Sequence, residues 1–232
     1  MPRLRSIGPL LLAGMALAVI GSAPADAEVV DKSDAGFVVR EVVEVPADAA
    51  TTWAALIAPA KWWNGEHTWS GKAANLYLDA QATGCFCELL PLPENAPEGT
   101  RRGSVQHMRV IFASPFSVLR MSGGLGPLQS EPVNGVLTIT LKPSDKGTRI
   151  LWEYAVGGYM RFKTDDIAPA VDKVLAEQIG GLAKLLGAAD AAPADEGKAK
   201  PDEAAAPADK PAVPAKPKPP AKKPAPKKPA AN

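Results

Sequence analysis

The sequence predicts an α+β fold in which one antiparallel β-sheet packs against a long C-terminal helix. Three observations lead to this prediction. A β-branched strand, "FVVREVVEV", comes first, six further stretches of strand character follow, and the last stretch before the tail has helical periodicity. Because six consecutive strands follow the first helices, we expect them to form an antiparallel sheet.

Two short helices are predicted after the first strand. Asp48 stands before "AATTWAALI", where its carboxylate can accept a backbone N–H of the first turn. Pro59 ends this helix because its ring is not tolerated in a helix interior, and "PAKWWNG" has the composition of a second helical turn.

The later strands are predicted from stretches rich in β-branched and aromatic residues, bounded by Gly, Pro, Asn and Asp. They are "NLYLDA", "GCFCELL", "GSVQHMRVIFA", "FSVLRMSG", "VNGVLTITLKP" and "GTRILWEYAVGGY".

The long helix is predicted over 165–187, where apolar residues recur every three or four positions. Asp165 and Asp166 favour its N-terminus, and Gly187 marks its end. Gly180 and Gly181 each cost about 1 kcal/mol of helix stability relative to Ala. They indicate either the close approach of another segment or a bend.

Residues 1–27 have the pattern of a secretory signal peptide: two arginines, a short apolar run, and small residues ending in Ala-Asp-Ala. The apolar run is too short for a comfortable membrane span. We therefore expect secretion across the inner membrane into the periplasm, and a mature chain without a transmembrane helix. That chain would begin with an N-terminal lead, 28–36.

Residues 188–232 are predicted to be a disordered tail. They contain 11 of the 24 prolines and no aromatic residue, so they cannot bury a core. The tail has 9 lysines against 6 acidic residues, whereas residues 28–187 are mildly acidic. It is either a solubilising extension or an electrostatic contact with anionic envelope polymers or lipids.

The order of the elements resembles the helix-grip fold of the START-related superfamily (SRPBCC). The stretches that carry the resemblance are "VEVPADAATTWAALIAPAKWW", "LDAQATGCFCE", "SPFSVLRMSGGLGPLQ" and "GTRILWEYAVGG". This superfamily includes lipid-transfer domains, polyketide cyclases and activators of the Hsp90 ATPase, and "HTWSG", "GCFCE" and "GGLGPLQ" together resemble an exported bacterial branch. The resemblance implies a curved seven-stranded sheet wrapped around the C-terminal helix over 37–187, with a cavity between them.

The resemblance also implies that this cavity binds a small apolar or amphipathic molecule. Four of the five tryptophans fall within 17 residues, and they form either core beneath the short helices or a cavity wall. The candidate ligand-binding residues are Trp63, Trp69, Glu88, His107, Arg109 and Tyr154.

Two other functions stay open. Glu88 and His107 are candidates for acid–base catalysis in a cyclase-like or hydrolase-like enzyme, with Arg109 expected on the same strand face as His107. Alternatively, each is a hydrogen-bonded sheet residue without a catalytic role. The third function is an envelope interaction protein tethered by its basic tail.

Cys85 and Cys87 are the only cysteines, and alternation along the strand places them on one face, with Phe86 and Glu88 on the other. They are two shielded thiols, a disulfide, or metal ligands together with His67 or His107. A disulfide requires the strand to contract, because residues two apart lie ~6.6 Å from each other in an extended strand.

Nucleic acid is not expected as a partner, because basic residues of the body are scattered and no nucleic-acid-binding module is present. The "GGLG" stretch lacks the Lys and Ser/Thr that follow in a phosphate-binding loop. No cofactor is predicted.

Overall fold

The computed structural model describes residues 28–188. The predicted signal peptide, and the predicted tail from residue 189 onwards, lie outside the described residues. Helix α1 spans Ala49–Leu56 and helix α2 spans Thr164–Leu185, and short 3₁₀ turns lie at Pro59–Lys61, Gly65–His67, Ala73–Asn75 and Gly126–Ser130. None of the described helices is long and apolar enough to cross a membrane.

The strands form one antiparallel sheet in the order β1-β2-β8-β7-β6-β5-β4-β3. They are β1 Glu28–Ser33, β2 Gly36–Val45, β3 Leu76–Leu78, β4 Cys85–Leu89, β5 Ser104–Ser114, β6 Val118–Ser122, β7 Val133–Ser144 and β8 Gly147–Gly158. The sheet curves around α2, which is the helix-grip arrangement implied by the resemblance, and the predicted fold class is confirmed.

The sheet has eight strands rather than the seven expected. The additional strand is β1, which lies within the segment predicted as the N-terminal lead and pairs with β2 in a hairpin. Only Val29 and Val30 give this strand apolar character, and the polar "DKSD" that follows is typical of a turn. As an edge strand it needs pairing on one side only, so its sequence carries little strand signal.

Helix α2 buries one stripe against the concave face of the sheet. Leu175, Ile179 and Leu182 are each at most 2% exposed. Burial of such side chains contributes about 1.5–3 kcal/mol apiece. Pro169 lies in the second turn of α2, where its missing N–H removes one i→i−4 hydrogen bond close to the helix start.

Gly181 allows the chain after α1 to contact α2 closely. A Cβ atom at Gly181 would lie 2.5 Å from the carbonyl oxygen of Trp62. The predicted close approach is thus the reason for this glycine. Asp48 caps α1 as predicted, accepting a hydrogen bond from the backbone N–H of Thr51 at 2.7 Å.

Two carboxyl groups are buried together between sheet and helix. Glu41 on β2 is 1% exposed, and Asp172 on α2 is 6% exposed. Burial, followed by the charge of Asp172 and a hydrogen bond with it, raises the pKa of Glu41 to about 8. Near neutral pH, the carboxyl of Glu41 therefore keeps its proton.

This pair makes stability depend on pH. Because the pKa of Glu41 is higher in the folded than in the unfolded state, its contribution is complete below about pH 4.5 and is lost as pH rises through 8. We expect Glu41→Gln to reduce this loss between pH 5 and pH 8.5 by ~2 kcal/mol or more. Urea unfolding at pH 5 and at pH 8.5 measures the change in the free energy of unfolding. An equal loss of stability in Glu41→Gln and in the unmodified protein would contradict the assignment of the raised pKa to Glu41.

Candidate functional site

A cavity of about 420 Å³ opens beside the N-terminal half of α2. Its walls come from three regions: the loop 63–69, the loop 125–127, and α2 between Ile167 and Leu175. His107 on β5 contributes the wall on the side of the sheet. A second, much smaller cavity around Trp62 and Trp152 holds about 20 Å³. This is roughly the space of a single water molecule.

A β-bulge directs His107 into the cavity. Phe86 on β4 pairs with Met108, whereas Cys87 pairs with Gln106, so His107 is the extra residue on β5. Two consecutive residues at such a bulge can point to the same face. His107 and Met108 are accordingly both buried, 7% and 1% exposed, on the concave side of the sheet.

The Glu88 carboxylate connects β4, β5 and the loop over the cavity. It is 0% exposed and accepts hydrogen bonds from the backbone N–H groups of Trp69 at 3.0 Å and Ser70 at 2.5 Å. Nε2 of His107 lies 3.0 Å from the same carboxylate. Both carboxylate oxygens are therefore bound, and Glu88 stabilises the position of the imidazole from behind.

The surroundings of His107 set its protonation. Burial lowers the pKa of His107, and the hydrogen bond to Glu88 offsets only part of this effect. Burial alone would raise the pKa of Glu88, but hydrogen bonds from Ser70, Trp69 and His107 hold it below its usual value. At neutral pH the imidazole is thus neutral, carries its proton on Nε2 towards Glu88, and leaves Nδ1 as a hydrogen-bond acceptor.

The loop over the cavity is also attached to α2. The backbone N–H of Asn64 donates to the side-chain oxygen of Gln178 at 2.8 Å, and its side-chain amide donates to Glu177. Nε2 of His67 lies 3.0 Å from the Glu177 carboxylate. The indole N–H of Trp63 donates to the carbonyl of His67 at 3.1 Å, which closes the loop on itself.

Aromatic rings connect this loop to the sheet. The ring of Trp63 lies 5.1 Å from that of Phe86, which in turn lies 5.0 Å from the imidazole of His107. Trp63 is partly buried and forms a cavity wall, whereas Trp69 is 60% exposed at the mouth. The tryptophan cluster therefore supplies both core and cavity.

Tyr154 does not line the cavity, although it was predicted to bind the ligand. Its buried hydroxyl donates to the carbonyl of Gly123 at 3.0 Å and accepts from the N–H of Leu125 at 3.1 Å. Burial raises the pKa of Tyr154 to about 12. Its role is to anchor the loop 123–127, one wall of the cavity.

Arg109 was expected on the same face as His107, and this prediction is wrong. Alternation resumes after the bulge, so Arg109 is exposed on the convex face, opposite Cys85. The strand alone gives no sign of the bulge, because "SVQHMRV" has no glycine or proline to mark it.

Cys85 and Cys87 form a disulfide, with their Cα atoms 5.5 Å apart. This decides among the three states that the sequence left open, and it removes both sulfurs from any metal site. They lie on one strand face, as predicted, with Phe86 and Glu88 on the opposite, buried face. No group of three or more potential metal ligands occurs among residues 28–188.

Sequence reasoning missed the part of the site that α2 supplies. Ala170, Val171 and Val174 line the cavity, and Glu177 with Gln178 holds the loop. Val171 and Val174 belong to the apolar stripe that predicts α2, and periodicity cannot separate residues that pack against protein from those that face a cavity.

Comparisons with known proteins assign no family to the chain. No family model matches it. Among curated proteins, 51 residues are 41% identical to somatotropin from Balaenoptera borealis, a match over 22% of this chain; the chain spans about a quarter (24%) of that protein.

Solved structures share low identity with the chain. A protein from Mesorhizobium loti is 17% identical with a TM-score of 0.45, covering 66% of this chain and 99% of its own. The Aha1 dimer from Colwellia psychrerythraea is 11% identical (TM-score 0.42; 64% and 95% covered). The di-domain ARO/CYC StfQ of the steffimycin biosynthetic pathway is 12% identical (TM-score 0.43; 66% and 51% covered).

The Glu88–His107 pair predicts a loss of stability in acid. Because the pKa of His107 is lower in the folded state, its contribution is complete above its unfolded pKa near 6.5 and is lost as pH falls below it. We expect His107→Gln to reduce the pH slope of the unfolding free energy between pH 7 and pH 5, by up to ~1 kcal/mol per pH unit.

Chemical denaturation across this range measures the slope. His67→Gln is the matched control, because His67 is the only other histidine and is partly exposed. Equal slopes for the two variants would contradict the assignment to His107.

Proposed function

We propose that the protein binds a small, largely apolar molecule bearing a hydroxyl or N–H group, with this group donating to Nδ1 of His107. The observation that carries the proposal is the cavity of about 420 Å³ with apolar walls and one oriented, neutral imidazole. Cavities of this size suit drug-sized ligands, and a few placed polar groups within an apolar lining fix their orientation.

The distribution of polar groups supports an amphipathic ligand. Trp63, Val171 and Leu175 line the cavity, whereas Glu66 and His67 lie where the loop meets solvent. A ligand would place its ring or chain inside and any charged end at this mouth. Export to the periplasm and contact of the tail with the envelope belong to the same proposal, and rest on the composition of residues 1–27 and 188–232.

A matched pair of probes tests the hydrogen bond. 2-Naphthol and 2-methoxynaphthalene share a ring system, but only the first has a donor. We expect 2-naphthol to bind about 2- to 10-fold more tightly by isothermal titration calorimetry, which corresponds to one net hydrogen bond. His107→Leu should abolish this preference. Equal affinities in the unmodified protein would contradict the role of His107.

A second pair of variants tests the location. Val174 is half-buried in the cavity wall, so Val174→Trp should fill the cavity and abolish binding of both probes. Lys173→Trp adds the same indole at the adjacent, exposed position of α2 and should leave binding intact. Unchanged binding to Val174→Trp would place the ligand elsewhere.

One observation favours a catalytic alternative. His107 lines a largely apolar cavity and is held at Nε2 by a buried carboxylate, which leaves Nδ1 as the nitrogen that could act as a general base. Glu88 does not contact the cavity, so it would act as a positioning residue. In this function the bound molecule would lose a proton to Nδ1.

A base-sensitive carbon acid, 5-nitrobenzisoxazole, distinguishes binding from catalysis. If His107 acts as a base, ring opening should run about 10²-fold faster than with free imidazole at equal concentration. The rate should fall in acid as His107 is protonated, and should be lost in His107→Gln but kept in Lys173→Trp. A rate no higher than that of free imidazole would leave binding as the function.

A further inference from the structure

The Cys85–Cys87 disulfide lies on the convex face of the sheet, opposite the cavity. Cys85 is partly exposed at the start of β4, whereas Cys87 is 5% exposed. An incoming thiol can therefore approach the sulfur of Cys85, while that of Cys87 is shielded. The two sulfurs are thus unequal in access, which determines the one that is attacked.

The disulfide contributes little to holding the fold together. It joins residues separated by two positions, and disulfides stabilise mainly by closing long loops in the unfolded chain. Strand β4 is already paired on both sides, with β3 and with β5. A cross-link along one strand adds no connection between elements, so its chemistry is the better explanation for it.

A cation lies beside the accessible sulfur. Arg109 is the register partner of Cys85 across β4 and β5 and is exposed on the same face. No carboxylate among residues 28–188 forms a salt bridge with it. Its guanidinium is therefore placed to attract a thiolate towards Cys85.

Exposed apolar side chains surround this position. Tyr77, the register partner of Cys87, is 43% exposed, and Ile111, two residues beyond Arg109, is 46% exposed. Apolar groups exposed beside a reactive centre suit an unfolded polypeptide better than a small hydrophilic thiol.

We propose that Cys85 and Cys87 exchange their disulfide with the paired thiols of reduced polypeptides. A substrate thiolate attacks Sγ of Cys85, the Cys85–Cys87 bond breaks, and Cys87 leaves as a thiolate that takes a proton from solvent. The second substrate thiolate attacks the substrate sulfur of the mixed disulfide and releases Cys85. The substrate loses two electrons and two protons, and the cysteine pair gains them.

The pair is restored by the same exchange in reverse, with a disulfide-bearing molecule as the electron acceptor; this step rests on the proposed export to an oxidising compartment. The cavity takes no part in these steps. The proposal is therefore independent of ligand binding, and Val174→Trp should leave exchange unchanged.

Single-turnover exchange tests the proposal on the full chain with its disulfide intact. The probe is a reduced peptide with two cysteines and apolar flanking residues. The mixture is quenched in acid and alkylated, and the masses of peptide and protein are measured by mass spectrometry. We expect the peptide to lose two hydrogens while the protein gains two alkyl groups. The rate should be at least ~10-fold above that of oxidised glutathione at equal concentration. A rate equal to or below that of glutathione would overturn the proposal.

Variants assign the reaction to this site. Cys85→Ser with Cys87→Ser should abolish oxidation of the peptide. Arg109→Ala should slow it about threefold or more, whereas Arg101→Ala, which removes an exposed arginine elsewhere, should not. Equal rates in the two arginine variants would overturn the role of Arg109, and equal rates for the peptide and for dithiothreitol would overturn the preference for polypeptides.

Discussion

The site depends on the burial of one carboxylate, that of Glu88. A carboxylate removed from water must have its oxygens bound, and Glu88 obtains its partners from two different parts of the chain. The backbone at Trp69 and Ser70 fixes the loop at the mouth, and His107 fixes the wall on the sheet. A single electrostatic requirement therefore sets the distance between two cavity walls, and it determines the imidazole nitrogen that is available to a ligand.

Glu41 shows the opposite outcome for the same type of side chain. Both glutamates lie buried on the concave face, but Glu41 faces another carboxyl, Asp172, whereas Glu88 faces N–H donors. Glu41 therefore keeps its proton to about pH 8, whereas the pKa of Glu88 is held below its usual value. Burial alone does not determine the charge of these groups. The hydrogen-bond partner does, and the partners of Glu88 include His107 and Trp69, which line the cavity.

The fold could be predicted almost completely from the sequence, because strand alternation, the Asp48 cap and the periodicity of α2 are local signals. The β1 strand could not be predicted, because its stability comes from pairing with β2. The site could be predicted only in part. Trp63, Trp69 and His107 stood out as rare residue types, but the position of Arg109 required knowledge of a bulge that depends on how β4 and β5 pair. The disulfide likewise depends on a contraction of β4 that alternation does not reveal.

The β5 bulge also explains how the cavity site at His107 and the Cys85–Cys87 disulfide lie on opposite faces of one sheet. Without the extra residue, strict alternation would place His107 on the convex face with Arg109 and Cys85, and Gln106 on the concave face. Because of the bulge, His107 lies on the side of the cavity, whereas Arg109 lies on the convex face with Cys85 and Cys87. Because side chains alternate along β4, the disulfide and Glu88 lie on opposite faces of the same strand. Each can therefore change without the other.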